Sequence, residues 1–423
     1  MADVQPLRSV RYEPSVAGPL EDVIAPPYDV IDEELRAELV ARSPHNVVEI
    51  DLPEPPPGGG DRYEHAAATM RDWLEQGVLV IEEEPALWAL RQEYTGPDGS
   101  ARTRNGLFAR VRVEDYGPGR IRPHERTHPG PKEDRLRLTR ATRANLSPIF
   151  SLFADQDGAA AMALERATAG EPFASAADHE GTRNTLWRVG GAEEIASFQD
   201  TLAGAELLIA DGHHRYETAR VYAEEIGGEG DHRYVLMLLC SLSDPGLLVF
   251  PTHRLLTGLK DDREKQEAIR DTLMRDFEVE PLPAASELEP HDDDRIAFGY
   301  MDSFHRKPYR VTLKDQSIAD AALAGMPGPY RRLDTAVLEA LVLRGALGMS
   351  EDDISHLRGL DYSKSLEDAI ERVESGTADA GFFMRATPVE QVREVAETGE
   401  SMPPKSTYFY PKVPTGLVFS PLA

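Results

Sequence analysis

The chain of 423 residues has a single cysteine, Cys240, and only eight lysines. One thiol excludes an internal disulfide and a zinc site built on cysteines. Cys240 lies in an apolar run, so it reads as a buried thiol, which fits a reducing cytoplasm. No apolar stretch approaches the roughly 18 residues of a membrane span, and the N-terminal MADVQPLRSVRYEP lacks the apolar core of a signal peptide. A cytoplasmic protein without a membrane partner is expected. There is no Gly-x-x-x-x-Gly-Lys-Ser/Thr loop, no Gly-x-Gly-x-x-Gly at a strand–helix junction and no Gly-x-Ser-x-Gly. These absences argue against the common NTPase, dinucleotide-binding and α/β-hydrolase designs. The 46 Lys+Arg stand against 74 Asp+Glu, a net charge of −28. Such an excess disfavours non-specific binding to nucleic acid or anionic membrane, although a local basic pocket can still hold a small anion.

What is present is a globular composition: 41% hydrophobic and 28% charged residues. The length suits two or three domains. The pattern suggests an α+β N-terminal region over 1–115, a core over 116–260 and an α+β C-terminal module over 261–423. Oligomeric state is open.

The densest chemistry lies in ELLIADGHHRYETARVYAEE, residues 206–225. The apolar run Leu207–Ala210 predicts a strand, Asp211-Gly212 a turn, and Tyr216, Ala219 and Tyr222 one face of a helix. Backbone N–H groups at a helix entrance attract anions. His213, His214 and Arg215 at that mouth strengthen an anion reading, because Arg grips phosphate bidentately. The same pattern is compatible with a plain N-cap at Asp211.

Along the chain, the Pro-rich 13–31 reads as extended, with Pro26-Pro27 holding Tyr28 and Asp29 in a turn. Helices are predicted at 32–42 and 62–76, strands at 47–52, 87–94 and 107–113, and a loop at 53–60. Beyond these come a strand at 147–154, a helix at 159–167, a strand at 184–189 and a helix at 193–202. Strands at 233–242 and 247–250 read as a pair over the turn Ser243–Gly246, followed by His253 and Arg254. The last part predicts helices at 262–275, 333–345, 350–357, 363–374 and 388–396, and strands at 295–301, 308–313 and 380–385. The tail from Met402 carries Lys405 and Lys412. It is compatible with a cover strand or a site wall.

The second dense stretch is IRPHERTHPGPKEDR, residues 121–135. His124, Glu125 and His128 form His-Glu-x-x-His, which binds zinc when both histidines share one helix face. Pro123 precedes it and Pro129-Gly130-Pro131 follows, so a loop presenting Glu125, then a helix from Lys132 to Ala144, fits better. No metal site is assigned. A metallohydrolase is the weakest of the functional readings.

APPYDVI (25–31), HERT with KEDR (124–135), ADGHHRYETA (210–219), PTHR (251–254) and MPPKSTYFYPK (402–412) together resemble the family catalogued as domain of unknown function 1015. That family looks like a distant branch of the ParB/sulfiredoxin superfamily, whose relatives include free-serine kinases. The resemblance implies a mixed-sheet core and phosphoryl transfer from ATP or ADP, with Mg²⁺, to a small hydroxyl-bearing metabolite, foremost L-serine. The Asp-Gly-His-His-Arg turn matches at Asp211, Gly212, His213, His214 and Arg215. Pro-His-Glu matches at Pro123, His124 and Glu125, which makes Glu125 the implied catalytic carboxylate. Asp211 is a second carboxylate or a Mg²⁺ holder. Lys132 and Arg135 are candidates to balance phosphate charge. Asp29, His124, His253, Arg254 and Lys405 are candidates to hold substrate. The interval between the two motifs is about twice that of the small kinases, and both terminal regions are additional, which leaves the acceptor open. A non-catalytic nucleotide-binding regulator is the alternative.

Overall fold

The computed structural model describes residues 2–125, 129–291 and 295–422, with backbone alone for 129–131. The chain divides into two units, Met1–Pro123 with Thr127–Leu247 and Pro411–Ala423, and His124–Arg126 with Leu248–Tyr410. This division does not follow the expected boundaries at 115/116 and 260/261. The N-terminal strands and the central strand share one sheet, so they cannot be separate bodies.

In the first unit, nine strands form that sheet: β1 (Val4–Gln5), β2 (Leu87–Thr95), β3 (Ala101–Arg112), β4 (Ile121–Arg122), β5 (Ile149–Phe153), β6 (Ala174–Ala177), β7 (Arg183–Val189), β8 (Leu207–Asp211) and β9 (Tyr234–Ser241). Their order is β4-β8-β5-β9-β3-β2-β7-β6, with β1 on β3. The sheet is mixed. β8 runs parallel to β4 and antiparallel to β5, while β9 runs parallel to β5 and antiparallel to β3. Alternate residues Leu107, Ala109, Val111, Val235, Met237, Leu239, Leu207 and Ile209 line one buried face. β8 is buried on both faces, from Leu207 to Ala210, which explains its unbroken apolar run.

The helices of this unit include α1 (Glu33–Arg42), α2 (Val48–Asp51), α3 (Arg62–Glu75), α4 (Pro129–Thr142), α5 (Ala159–Ala167), α6 (Ala192–Leu202) and α7 (His213–Ile226). Asp32 caps α1 and Asp61 caps α3 through side-chain oxygens. The expected strand at 47–52 is α2 instead. Fully buried Asn46 accepts from Val48 N (3.0 Å) and donates to the carbonyls of Asp22 (2.9 Å) and Ile24 (3.2 Å), which starts a helical turn. The 13–31 segment is not wholly extended: short helices occupy Pro14–Ala17 and Leu20–Val23, and Tyr28–Val30 is a 3-10 turn.

In the second unit the strands are β10 (Leu248–Phe250), β11 (His253–Leu256), β12 (Phe277–Pro281), β13 (Ala297–Asp302), β14 (Tyr309–Leu313), β15 (Leu360–Ser363), β16 (Ala380–Phe383) and β17 (Tyr408–Tyr410). Six of them form a sheet in the order β12-β14-β13-β16-β11-β15, and β10 pairs with β17. The expected pairing of 233–242 with 247–250 is therefore absent. The turn between them folds onto the sheet rather than reversing the chain. Asp244 accepts from Asn105 N (3.1 Å) and Gly246 N (2.8 Å), and Tyr94 Oη donates to Gly246 O (2.7 Å). The core of this unit gathers Leu256, Phe277, Phe298, Val311, Val337, Leu338, Val342 and Phe382. Its helices include α8 (Arg263–Asp276) and α9 (Leu366–Ser375). The predicted helix 333–345 is α-helical over Asp334–Leu338 and π-helical over Glu339–Ala346.

Candidate functional site

The Asp211–Arg215 turn joins β8 to α7. Gly212 has φ +97°, the left-handed conformation that favours glycine. The backbone reverses there at once, so α7 begins at His213 with no side-chain cap. Asp211 is therefore not the N-cap. It precedes the cap, and its carboxylate turns to two cations. Arg215 Nη2 donates to Asp211 Oδ2 (2.8 Å), and Lys412 Nζ donates to Asp211 Oδ1 (3.2 Å). Arg215 Nη1 is further fixed by Ser147 Oγ (2.7 Å) and the Pro148 carbonyl. Burial alone would raise the pKa of Asp211, but Lys412, Arg215 and His213 hold it well below the usual carboxylate range. The carboxylate is charged and faces two cations. His213 is buried and His214 half-buried.

A glycine is required at 212 on a second count. A Cβ there would lie 3.0–3.1 Å from the Arg215 guanidinium, which folds back over the turn. Lys412 is held through its own backbone. Gln92 Nε2 donates to Lys412 O (3.1 Å) and to Asn184 Oδ1 (2.8 Å), while Arg104 Nε donates to Gln92 Oε1 (3.1 Å). These three side chains are almost fully buried. Such a buried polar network fixes position.

Arg135 is a scaffold residue rather than a free phosphate ligand. Its Nη1 donates to Asp51 O (2.7 Å) and Asp51 Oδ1 (3.2 Å), its Nη2 and Nε donate to Asp134 Oδ2, and its guanidinium lies 4.1 Å from the Tyr28 ring centroid. Burial raises the pKa of Asp51, against the pull of Arg135 and Arg215. A cavity of about 40 Å³ is lined by Asp51, Arg135, Ser147, Arg215 and Thr218 among others, too small for a nucleotide. The carbonyl of Lys132 accepts from Thr218 Oγ1 (3.4 Å), and Asp29 is exposed in its 3-10 turn.

The remaining expected residues lie in the second unit. His124 and Glu125 are extended, and Glu125 bridges to Met402 as a parallel pair. His128 lies outside the described residues. The backbone at 124–125 is not a zincin helix, and among the described residues no group of three or more His, Cys, Asp or Glu side chains is arranged for a metal. His124 is buried. Its Nε2 pairs with Thr407 Oγ1 (2.7 Å), its carbonyl accepts from Met402 N (2.7 Å), and its ring meets Phe409 edge-on. The tail is thus a wall built on the Pro-His-Glu segment.

Arg254 is also buried. Its Nη1 donates to Thr252 O and its Nη2 to Lys405 O (3.2 Å), with the guanidinium 5.4 Å from the Tyr362 centroid. Lys405 has φ +56°, rare for a residue with a side chain. Its carbonyl is the group that meets Arg254. His253 faces the other side of β11, where Nδ1 accepts from Met384 N (3.1 Å). Burial, then the Arg254 charge, pushes its pKa down to about 4. The imidazole is thus buried, with Nδ1 bonded to the backbone.

A family model described as Protein of unknown function (DUF1015) matches residues 4–336. The chain belongs to this family. No similar protein was found among curated sequences. Among solved structures, a free serine kinase in complex with AMP is similar at 17% identity, covering 72% of this chain and 86% of that one, with a TM-score of 0.37. A conserved hypothetical protein from Pyrococcus furiosus gives 17% identity, 72% and 90% coverage and a TM-score of 0.35. SbnI with C-terminal truncation from Staphylococcus aureus gives 11% identity, 73% and 85% coverage and 0.37. Among the described residues no helix of this family member is long and apolar enough to cross a membrane.

The sequence pointed to Asp211–Arg215 but not to Lys412 as the partner of Asp211, nor to Ser147 and Asp51. Lys412 carried a signal: it is one of eight lysines in a chain rich in arginine, in a Pro-bracketed aromatic tail.

Proposed function

We propose that the protein is a small-molecule phosphotransferase that moves the terminal phosphoryl group of a nucleotide to a hydroxyl acceptor, with free L-serine the leading acceptor. The observation that carries this reading is the uncapped α7 entrance, with Lys412 and Arg215 sharing the single carboxylate of Asp211. Two cations at a helix N-terminus, in a chain of net charge −28, suit a phosphate chain. Phosphoryl transfer needs little beyond positioning and charge neutralisation.

In this reading the turn N–H groups and Lys412 hold the phosphates, and Asp211 keeps both cations in place. Glu125, the carboxylate implied by the Pro-His-Glu motif, takes the proton of the acceptor hydroxyl. The hydroxyl oxygen bonds to phosphorus as the bond to the nucleotide leaving oxygen breaks. Mg²⁺ would enter with the nucleotide, since it keeps several waters and uses substrate phosphates as ligands. With Asp211 engaged by two cations, this chain supplies the metal at most a carboxylate, and no step is assigned to it.

The test is incubation with ATP or ADP, Mg²⁺ and a panel of amino acids and hydroxy acids, reading phosphorylated product by mass spectrometry. Glu125→Gln should lower the rate by about 10²–10⁴ while leaving nucleotide affinity within a few-fold. Nucleotide binding without any product would leave a regulatory nucleotide binder. The absence of nucleotide binding would reject both readings.

A further inference from the structure

Arg254 is 3% exposed, yet no carboxylate lies within ion-pairing distance of it among the described residues. Two other almost fully buried charges of the candidate site are paired: Arg135 with Asp51 and Asp134, and Asp211 with Arg215 and Lys412. Burying a cation without a counter-ion is unfavourable, and proteins avoid it or leave the place for a ligand. Arg254 has five N–H groups to satisfy, and backbone carbonyls of Thr252 and Lys405 take one contact each. The second of these carbonyls is presented by a residue in the left-handed conformation. That loop is rigidly built: Ser406 Oγ donates to Pro403 O (2.7 Å) and Thr335 Oγ1 (3.1 Å), and Thr387 Oγ1 donates to Ser406 O (3.0 Å). Strain fixed by its surroundings is typical of ligand clamps. Glu125 and Glu339 lie near enough for their charges to be felt at Arg254, but not near enough to pair with it.

The geometry points to Arg254 as the recognition residue for a ligand carboxylate, which makes the acceptor class hydroxyl compounds bearing a carboxylate. A planar guanidinium fixed from behind by two carbonyls and flanked by the Tyr362 ring has its remaining fork available for bidentate pairing. Glu339 and then Glu125, in the same unit, are the carboxylates whose charges are felt there. Arg254 touches the ligand but not the reacting atoms. The carboxylate assignment stands on the arginine itself; the word acceptor rests on the phosphotransferase reading above.

The experiment is calorimetry of the full chain, with ADP and Mg²⁺ present, against L-serine, L-alanine, L-serinamide and ethanolamine. Binding of L-serine and L-alanine is expected, with L-serinamide and ethanolamine weaker by about 30–100-fold, as for loss of a charge-assisted pair. Arg254→Met should remove that preference, and Arg254→Lys, which keeps the charge without the fork, should reduce it about tenfold. The ligand series reads the carboxylate on the unaltered protein, so it does not depend on either variant folding. Equal binding of L-serine and L-serinamide, no binding of any carboxylate, or an unchanged preference in a folded Arg254→Met would overturn the assignment. Carboxylate binding that depends on Arg254 but leads to no phosphorylated product would sink the phosphotransferase reading and leave this one standing.

Discussion

Lys412 Nζ lies 3.2 Å from Asp211 Oδ1, across 201 residues of sequence. The carboxylate that opens the Asp-Gly-His-His-Arg turn is thereby shared between a local arginine and a lysine from the tail. This pairing, together with the left-handed Gly212, defines the charge at the α7 entrance.

Lys412→Met should weaken ADP binding roughly tenfold, the order of one charge-assisted contact. It should also lessen the pH dependence of stability in acid. The depressed pKa of Asp211 gives stability that is full above the unfolded value of about 3.9 and drains as pH falls below it. Without Lys412 the loss should begin at the same pH and be smaller in extent. Calorimetric titration with ADP and urea melts between pH 2.5 and 5 would read both.

Gly212→Ala should cost about 1–2 kcal/mol from the left-handed backbone alone. The added methyl would also press on the Arg215 guanidinium, 3.0–3.1 Å away. A lowered urea midpoint together with weaker ADP binding is expected; Gly227→Ala, where nothing lies within 4 Å of the new methyl, should affect stability alone.

His253 should make the protein less stable in mild acid. Its folded pKa is about 4, against roughly 6.5 in the unfolded chain. Between those values the unfolded state binds the extra proton. Stability is full above about pH 6.5, falls by up to roughly 3 kcal/mol as pH drops to 4, then stops falling on this account. His253→Gln should flatten that slope in melting curves taken across pH 4–7.

Gly299→Ala should be among the most damaging single substitutions in the second unit. A Cβ at 299 would sit 2.1 Å from the Leu288 carbonyl oxygen, a backbone atom that cannot step aside. A loss of several kcal/mol, or insoluble protein, is expected. Gly325→Ala, with open space at the same radius, is the matched control for denaturant melts.

Much of the fold was legible because local signals agreed with tertiary demand. The run Leu207–Ala210 is buried on both faces, and the helix from Ala159 to Ala167 has the predicted bounds. Residues 47–52 misled because an apolar hexapeptide suits a strand or a buried helix equally; Asn46, bonding to residues more than twenty positions away, decided it. The strand at 248–250 was visible, but its partner at 408–410 was not, since pairing at that distance leaves no local trace. In the candidate site, the motifs exposed the residues at 124–125 and 211–215. The pairing of Arg135 with Asp51, and the absence among the described residues of any such partner for Arg254, depend on tertiary packing and could not be read from spacing.

The first unit contains residues 411–423 as well as those up to 247. A ribosome making this chain must therefore synthesise the whole of 248–410 before Lys412, or Phe419 of the buried cluster around Trp73, exists. At about 5–20 residues per second, that is a wait on the order of ten seconds or more. Until then the first unit has an unfilled core position and an Asp211 lacking one of its two cations.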